Sequence, residues 1–296
     1  MNEENNRSVI RESHRIIFLF IEMFSIGVFS SLFLTAYLTF DEPLFNSRLA
    51  VYRSWNLYVW ILAFLVSVIH IFLLGRKSGG GTDEDKVYSS ESRPFFIFLV
   101  FSGLAALAYI FQLSFNIINF LAFLTAVYSL ISTARFYIFS FDRPAWRHPT
   151  TAGGIFQGTV ALGAGTGLLI YHDPALQTIY AWILIVILAL ESLSLWSRFL
   201  FLNRTSPITR QSVKMMLGTY FSLFGIRFIF GLIMPIVYLI WVLIFADLPL
   251  QPVAVMILVG EFSERWLFFT TSPRAVNSGN TISDSTSNIE QTDQEK

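Results

Sequence analysis

Nine ionisable residues stand inside stretches that are otherwise apolar: Glu22, His70, Arg135, Glu191, Arg198, Arg227, Glu261, Glu264 and Arg265. An ionisable group held in lipid is costly and is a functional candidate by default. A shielded carboxylate or an imidazole suits proton acceptance. A guanidinium suits pairing with carboxylates. Glu261 and Arg265 are four residues apart, which puts them on one helix face as a natural pair. Glu191 lies two turns from Arg198 on one face. Glu22 has no partner on its own helix and needs one from another. Plainer roles exist for each. Arg135 and Arg198 sit near the ends of their stretches, where they can snorkel to the interface. Glu261 with Arg265 can be a structural ion pair, and a lone helix-end histidine such as His70 can be structural.

The elements that must hold these groups follow from composition. Of 296 residues, 54% are hydrophobic, 17% aromatic and 14% charged. An ordinary soluble domain is about 25% charged. A soluble chain of this size could not hide so much apolar surface, so the main solvent is lipid. A bilayer core about 30 Å thick takes roughly 20 apolar residues of helix. Eight stretches qualify: about Ile16–Phe40, Leu49–Leu74, Phe95–Phe111, Ile117–Phe139, Thr151–Tyr171, Leu176–Leu202, Val213–Phe245 and Pro252–Thr270. The fifth is Gly-rich. The seventh is too long for one simple crossing, which suggests a kink at Pro235 or ends lying in the interface. No run alternates like the strands of a barrel. The expected fold is all-α, a polytopic membrane bundle of about eight transmembrane helices.

Residues 1–15 read as a polar N-terminal tail, residues 16–270 as the transmembrane domain, and residues 271–296 as a disordered tail rich in Ser, Thr, Asn and Gln. No small-residue cleavage site follows the first stretch, which reads as a retained span. Arg76–Glu91, with Gly79–Gly81 followed by Asp83, Glu84 and Asp85, reads as an extramembrane loop. With eight spans, both termini share one side, side A. Of the 20 lysines and arginines, 14 fall on side A, two (Arg48 and Arg53) on the other side, and four within spans. The positive-inside rule then makes side A cytoplasmic, in the cell membrane. Most of the ionisable groups within spans fall in the side A half. Glu22, for example, lies roughly 9 Å in from that end of its helix.

The same counts exclude several functions. Twenty basic and 20 acidic residues leave no net charge, which argues against a nucleic-acid binder. With no cysteine, the chain supplies no thiolate for a zinc site, an iron–sulfur cluster or a c-type haem. Of four histidines, only His70 falls within a span, so bis-histidine ligation of a b-type haem is not expected. No metal-binding H-x-x-x-H motif and no phosphate loop occurs.

Three segments carry a resemblance. Ala134–Tyr137 is followed by Asp142-Arg143-Pro144-Ala145-Trp146-Arg147-His148-Pro149-Thr150-Thr151 and a Gly-rich helix containing Leu162–Gly165. Gly260-Glu261-Phe262-Ser263-Glu264-Arg265-Trp266-Leu267-Phe268-Phe269 closes the last span. Ser67–His70 ends the second stretch, and Ser89-Ser90-Glu91 precedes the third. Together with eight spans over about residues 14–270, they resemble the DmsC family, the membrane anchor subunits of dimethyl sulfoxide reductase-type molybdoenzymes. The family's H-L-G unit after the histidine is replaced here by Ile71-Phe72-Leu73.

The resemblance implies a subunit without a metal of its own. It would bind a quinol, usually menaquinol, as a diffusible substrate and take its two electrons and two protons. The electrons would pass to an iron–sulfur subunit that feeds a molybdopterin catalytic subunit. It implies His70 as the group that contacts the quinol and accepts its proton, with Glu91 or Glu22 assisting. Arg135, Arg143 and Trp146 would shape the site or the docking loop. Two other readings stay open: a passive anchor or assembly subunit without quinone chemistry, and a small-molecule transporter.

Overall fold

The computed structural model describes residues 3–38, 42–75, 83–111, 116–139, 143–245 and 249–272. The side chains of some helical residues, His70 and Glu91 among them, lie outside the described part, as do all residues of the C-terminal segment from 273 onward. The described residues are helical almost throughout, without a strand. The chain runs through α1 (Glu3–Leu38), α2 (Glu42–Gly75), α3 (Asp83–Ile110) and α4 (Asn116–Ile138). A short 3₁₀ turn (Pro144–Trp146) leads into α5 (Pro149–Ile170) and α6 (Pro174–Thr205). Then follow α7 (Pro207–Leu217), α8 (Phe221–Phe228), a π-helical turn (Ile229–Ile233), α9 (Met234–Phe245) and α10 (Gln251–Thr270).

Five helices are long and apolar enough to cross a membrane: Ser13–Thr35, Ile117–Ile138, Pro149–Ile170, Pro174–Thr205 and Phe221–Phe245. The protein is a multi-pass helical membrane protein. Burial separates its centre from its rim. The apolar windows of α1 and α5 are 67% and 61% buried, against 28% in α6 and 22% in α8–α9. So α1 and α5 form the core, and the others present apolar side chains such as Leu193, Trp196 and Ile244 outward, as a lipid-facing surface requires. Glycine permits the central contact. A Cβ on Gly27 would collide with the Thr159 carbonyl, and one on Gly163 with the Gly27 carbonyl. The two backbones touch there because neither residue carries a side chain.

The seventh stretch is not one helix. It breaks at Gly218–Tyr220 into an amphipathic α7 and a span running from Phe221 to Phe245. Ser206 caps α7 in a reciprocal capping box with Thr209. Within the span, Pro235 has no N–H to give to residue 231, and its ring crowds that carbonyl. The chain widens just before it, where the Met234 N–H bonds the Ile229 carbonyl five residues back. The Arg76–Glu91 loop also needs correction, since α3 already begins at Asp83. Its acidic start, Asp83-Glu84-Asp85, suits the positive end of the helix dipole. At the N-terminus, α1 likewise begins at Glu3, well before the apolar stretch.

Candidate functional site

Six of the buried ionisable residues meet at one end of the bundle, at the C-terminal halves of α6 and α10. Arg227 of α8 is the hub. Its Nη2 donates to Glu191 Oε2 of α6 at 2.6 Å and its Nη1 to Glu261 Oε1 of α10 at 2.9 Å. Its Nε lies 3.4 Å from Glu264 Oε2. Arg198 of α6 donates to Glu264 Oε1 at 3.4 Å. Arg265 donates to Glu261 Oε2 at 3.3 Å, the four-residue pair on α10, and to the Gly154 carbonyl of α5 at 3.0 Å. Three carboxylates thus face three guanidinium groups, and the formal charge cancels. Such balance is what lets charged groups persist in a membrane interior.

Small residues make room for this cluster. A Cβ on Gly158 of α5 would strike Glu261 Oε2, so only glycine lets that carboxylate pack against the helix. Gly231, inside the π turn, lies against Gly260. The wider turn before Pro235 therefore sits beside the pairing of Arg227 with α10.

The same end is closed by the Arg143–Trp146 segment. Arg143 Nη1 donates to the Phe269 carbonyl at 2.8 Å and to the Ser272 carbonyl at 3.3 Å. Trp146 Nε1 donates to the Phe268 carbonyl at 3.1 Å. These donors satisfy carbonyls that the end of α10 leaves without helical partners. The Trp146 ring stacks on Phe268 at 5.0 Å, and Tyr137 meets both edge-on. Arg143 lies over the Trp146 ring at 4.6 Å. Arg198 lies over the other partner in the stack, Phe268, at 5.0 Å, so the aromatic lock and the ion cluster adjoin. His148 follows the lock. Its Nδ1 accepts the Thr150 N–H and caps α5, and its ring packs on Phe201 at 4.3 Å. Partial burial and the nearby Arg198 charge lower its pKa below the ordinary 6.5.

The residues singled out in the sequence divide between these places. Arg143 and Trp146 belong to the lock. Glu22 is buried at the α1–α4 contact, where Ser129 and Thr133 both donate to its Oε1 at 2.8 Å. Arg135 is exposed at the end of α4. The structure places His70 only as a position on α2 and Glu91 as a position on α3. Arg198 does not snorkel but turns inward. The hub role of Arg227 was not visible in the sequence. The sequence marks Glu191 and Arg227 only as ionisable residues within separate apolar stretches.

A polar cleft of about 20 Å³ adjoins the cluster, lined by Thr150, Gln157, Ser194 and Arg198 together with Glu191 and Glu264 of the cluster. A roomier cleft of about 420 Å³ lies at the opposite end, between the starts of α6 and α10 and the end of α9, and among the described residues no charged residue lines it. Among the described residues, no group of His, Cys, Asp and Glu is placed to hold a metal ion. No family model, curated protein or solved structure matches the chain.

Proposed function

We propose that the chain is the membrane anchor subunit of a dimethyl sulfoxide reductase-type molybdoenzyme. In this role it binds and oxidises a quinol, menaquinol by the family resemblance, and passes the electrons to an iron–sulfur partner subunit in anaerobic respiration. The observation that carries this reading is the meeting of two of the resembling segments. Arg143-Pro144-Ala145-Trp146 and the closing Gly260–Phe269 segment are more than a hundred residues apart, yet they form one buried unit. A motif shared across a chain is expected to be a spatial unit when it serves one role.

Oxidation of a quinol releases two electrons and two protons and leaves the quinone. The hydroxyl needs an acceptor at roughly 2.6–3.2 Å. In this reading His70 takes that proton, assisted by Glu91 or Glu22, while Arg143 and Trp146 hold the partner-facing end in shape and Arg135 borders it. Glu191, Arg227, Glu261 and Arg265 hold the bundle together beside that end.

The reading includes eight spans with both termini in the cytoplasm. Beyond the five long apolar helices, α2 and α3 contain the shorter apolar segments Ser54–Ile69 and Arg93–Ala108. Helix α10 carries three charges, but each is paired within the bundle, which removes the objection to its crossing.

Affinity purification of the tagged, full-length chain from its native membrane tests the proposal. Co-purification of an iron–sulfur protein, a molybdopterin protein and bound quinone is expected. Recovery of the chain alone, without quinone, would overturn it.

A further inference from the structure

The ion cluster satisfies its charges but not all its hydrogen-bonding atoms. Nε and Nη2 of Arg198, Nε of Arg265, Oε1 of Glu191 and Oε1 of Gln157 are buried and make no hydrogen bond to the protein. All four residues line the polar cleft beside the cluster. Arg198 and Glu191 are more than nine-tenths buried. Unsatisfied donors and acceptors in a membrane interior are expensive, and protein groups almost always find a partner. The donors belong to guanidinium groups and the acceptors to a carboxylate and an amide. Their common partner must accept from one set and donate to the other.

Size narrows the choice. The cleft offers about 20 Å³, and one water needs roughly 10–15 Å³. A ring or a phosphate does not fit, and water does. The cleft is only partly enclosed. Thr150, in the first turn of α5 and next to the aromatic lock, lines it and marks the Trp146 end of the bundle. The charged groups facing Glu191 and Arg198 are Arg227, Arg265, Glu261 and Glu264, with His148 just outside.

We infer that this cleft is a water-binding site that hydrates the ion cluster from the Trp146 end and keeps the Glu191 carboxylate in proton-exchange contact with that aqueous side. Water accepts from Arg198 and donates to Glu191 Oε1 and Gln157 Oε1. A proton moves along it by forming one O–H bond as another breaks, with bulk water as the only co-reactant. The inference holds whether or not a quinol is the substrate.

X-ray radiolysis of the full-length chain in phosphatidylcholine–phosphatidylglycerol vesicles, in heavy-oxygen water, tests the hydration. Hydroxyl radicals form where water is bound and label adjacent aliphatic side chains. Leu195, in the cleft, is expected to take up label several-fold faster than the lipid-facing Leu190 and Leu193. In Ser194→Leu, which fills the cleft, that excess should disappear. Equal labelling of Leu195 and Leu193, or an excess that survives Ser194→Leu, would overturn the site. Solid-state NMR of arginine-labelled wild-type protein in deuterated buffer tests the proton contact. The Arg198 Nε–H signal should decay well before that of the same group in Ser194→Leu, whose cleft is filled, and equal persistence in the two proteins would overturn the contact.

Discussion

Arg227 shows how charge is tolerated in this bundle. Its guanidinium serves Glu191, Glu261 and Glu264 together, so no carboxylate of the cluster is left without a cation. Removing one partner of a buried ionic group leaves the others uncompensated and costs about 3–5 kcal/mol. Arg227→Met should therefore lower the thermal unfolding midpoint in detergent markedly. Adding Glu191→Gln and Glu261→Gln to Arg227→Met should restore much of the loss. An additive decline across the three substitutions would contradict the network. His148 supplies a pH-dependent case. Its pKa in the folded protein lies below the ordinary 6.5, so in that window the unfolded chain binds more protons than the folded one. Stability is then highest above pH 6.5 and falls as the pH drops through that value. His148→Asn keeps a good N-cap but cannot charge, and its unfolding curve should lose that slope.

Between helices, the close contact of α1 with α5 depends on residues that carry no side chain. Gly163→Ala should destabilise the protein by about 1–3 kcal/mol, because its Cβ meets the Gly27 backbone. Gly154→Ala, one helix face away, meets nothing within 4 Å and should be tolerated. Unfolding of the two variants side by side reads the difference. Elements of this kind were legible in part. Apolar length found the spans because lipid imposes a minimum run on any crossing helix. The break at Gly218 was hidden, since a single glycine within a mostly apolar run does not fix a helix end. Its only trace was excess length. The helical start at Asp83 was hidden by the preceding glycines, although the acidic run was itself a sign of a helix N-terminus. Which carboxylate Arg227 meets could not be read at all, because pairing across helices is set by packing and not by spacing.

Taken whole, the molecule puts its costly chemistry at one end. The aromatic lock, the ion cluster and Glu22 lie towards the end where α4, α6 and α10 finish, while among the described residues the buried polar groups towards the opposite end include the neutral Tyr180 with Ser31 and Thr35. Under the proposed function, this placement puts the buried ion cluster beside the partner-facing end. Its membrane topology can be read directly, because the chain has no cysteine and any single introduced thiol is unique. Gln211→Cys on α7 should react with impermeant reagents only from the cytoplasmic side, and Thr178→Cys at the start of α6 only from the outside. The reverse pattern would refute the orientation. The proposed quinol oxidation is tested most directly by the rate at which menaquinol reduces the iron–sulfur clusters of the purified complex, compared between wild type and His70→Ala. Loss of a positioned proton acceptor predicts a fall of about 10²-fold or more. An unchanged rate in His70→Ala, with the complex intact, would contradict the account.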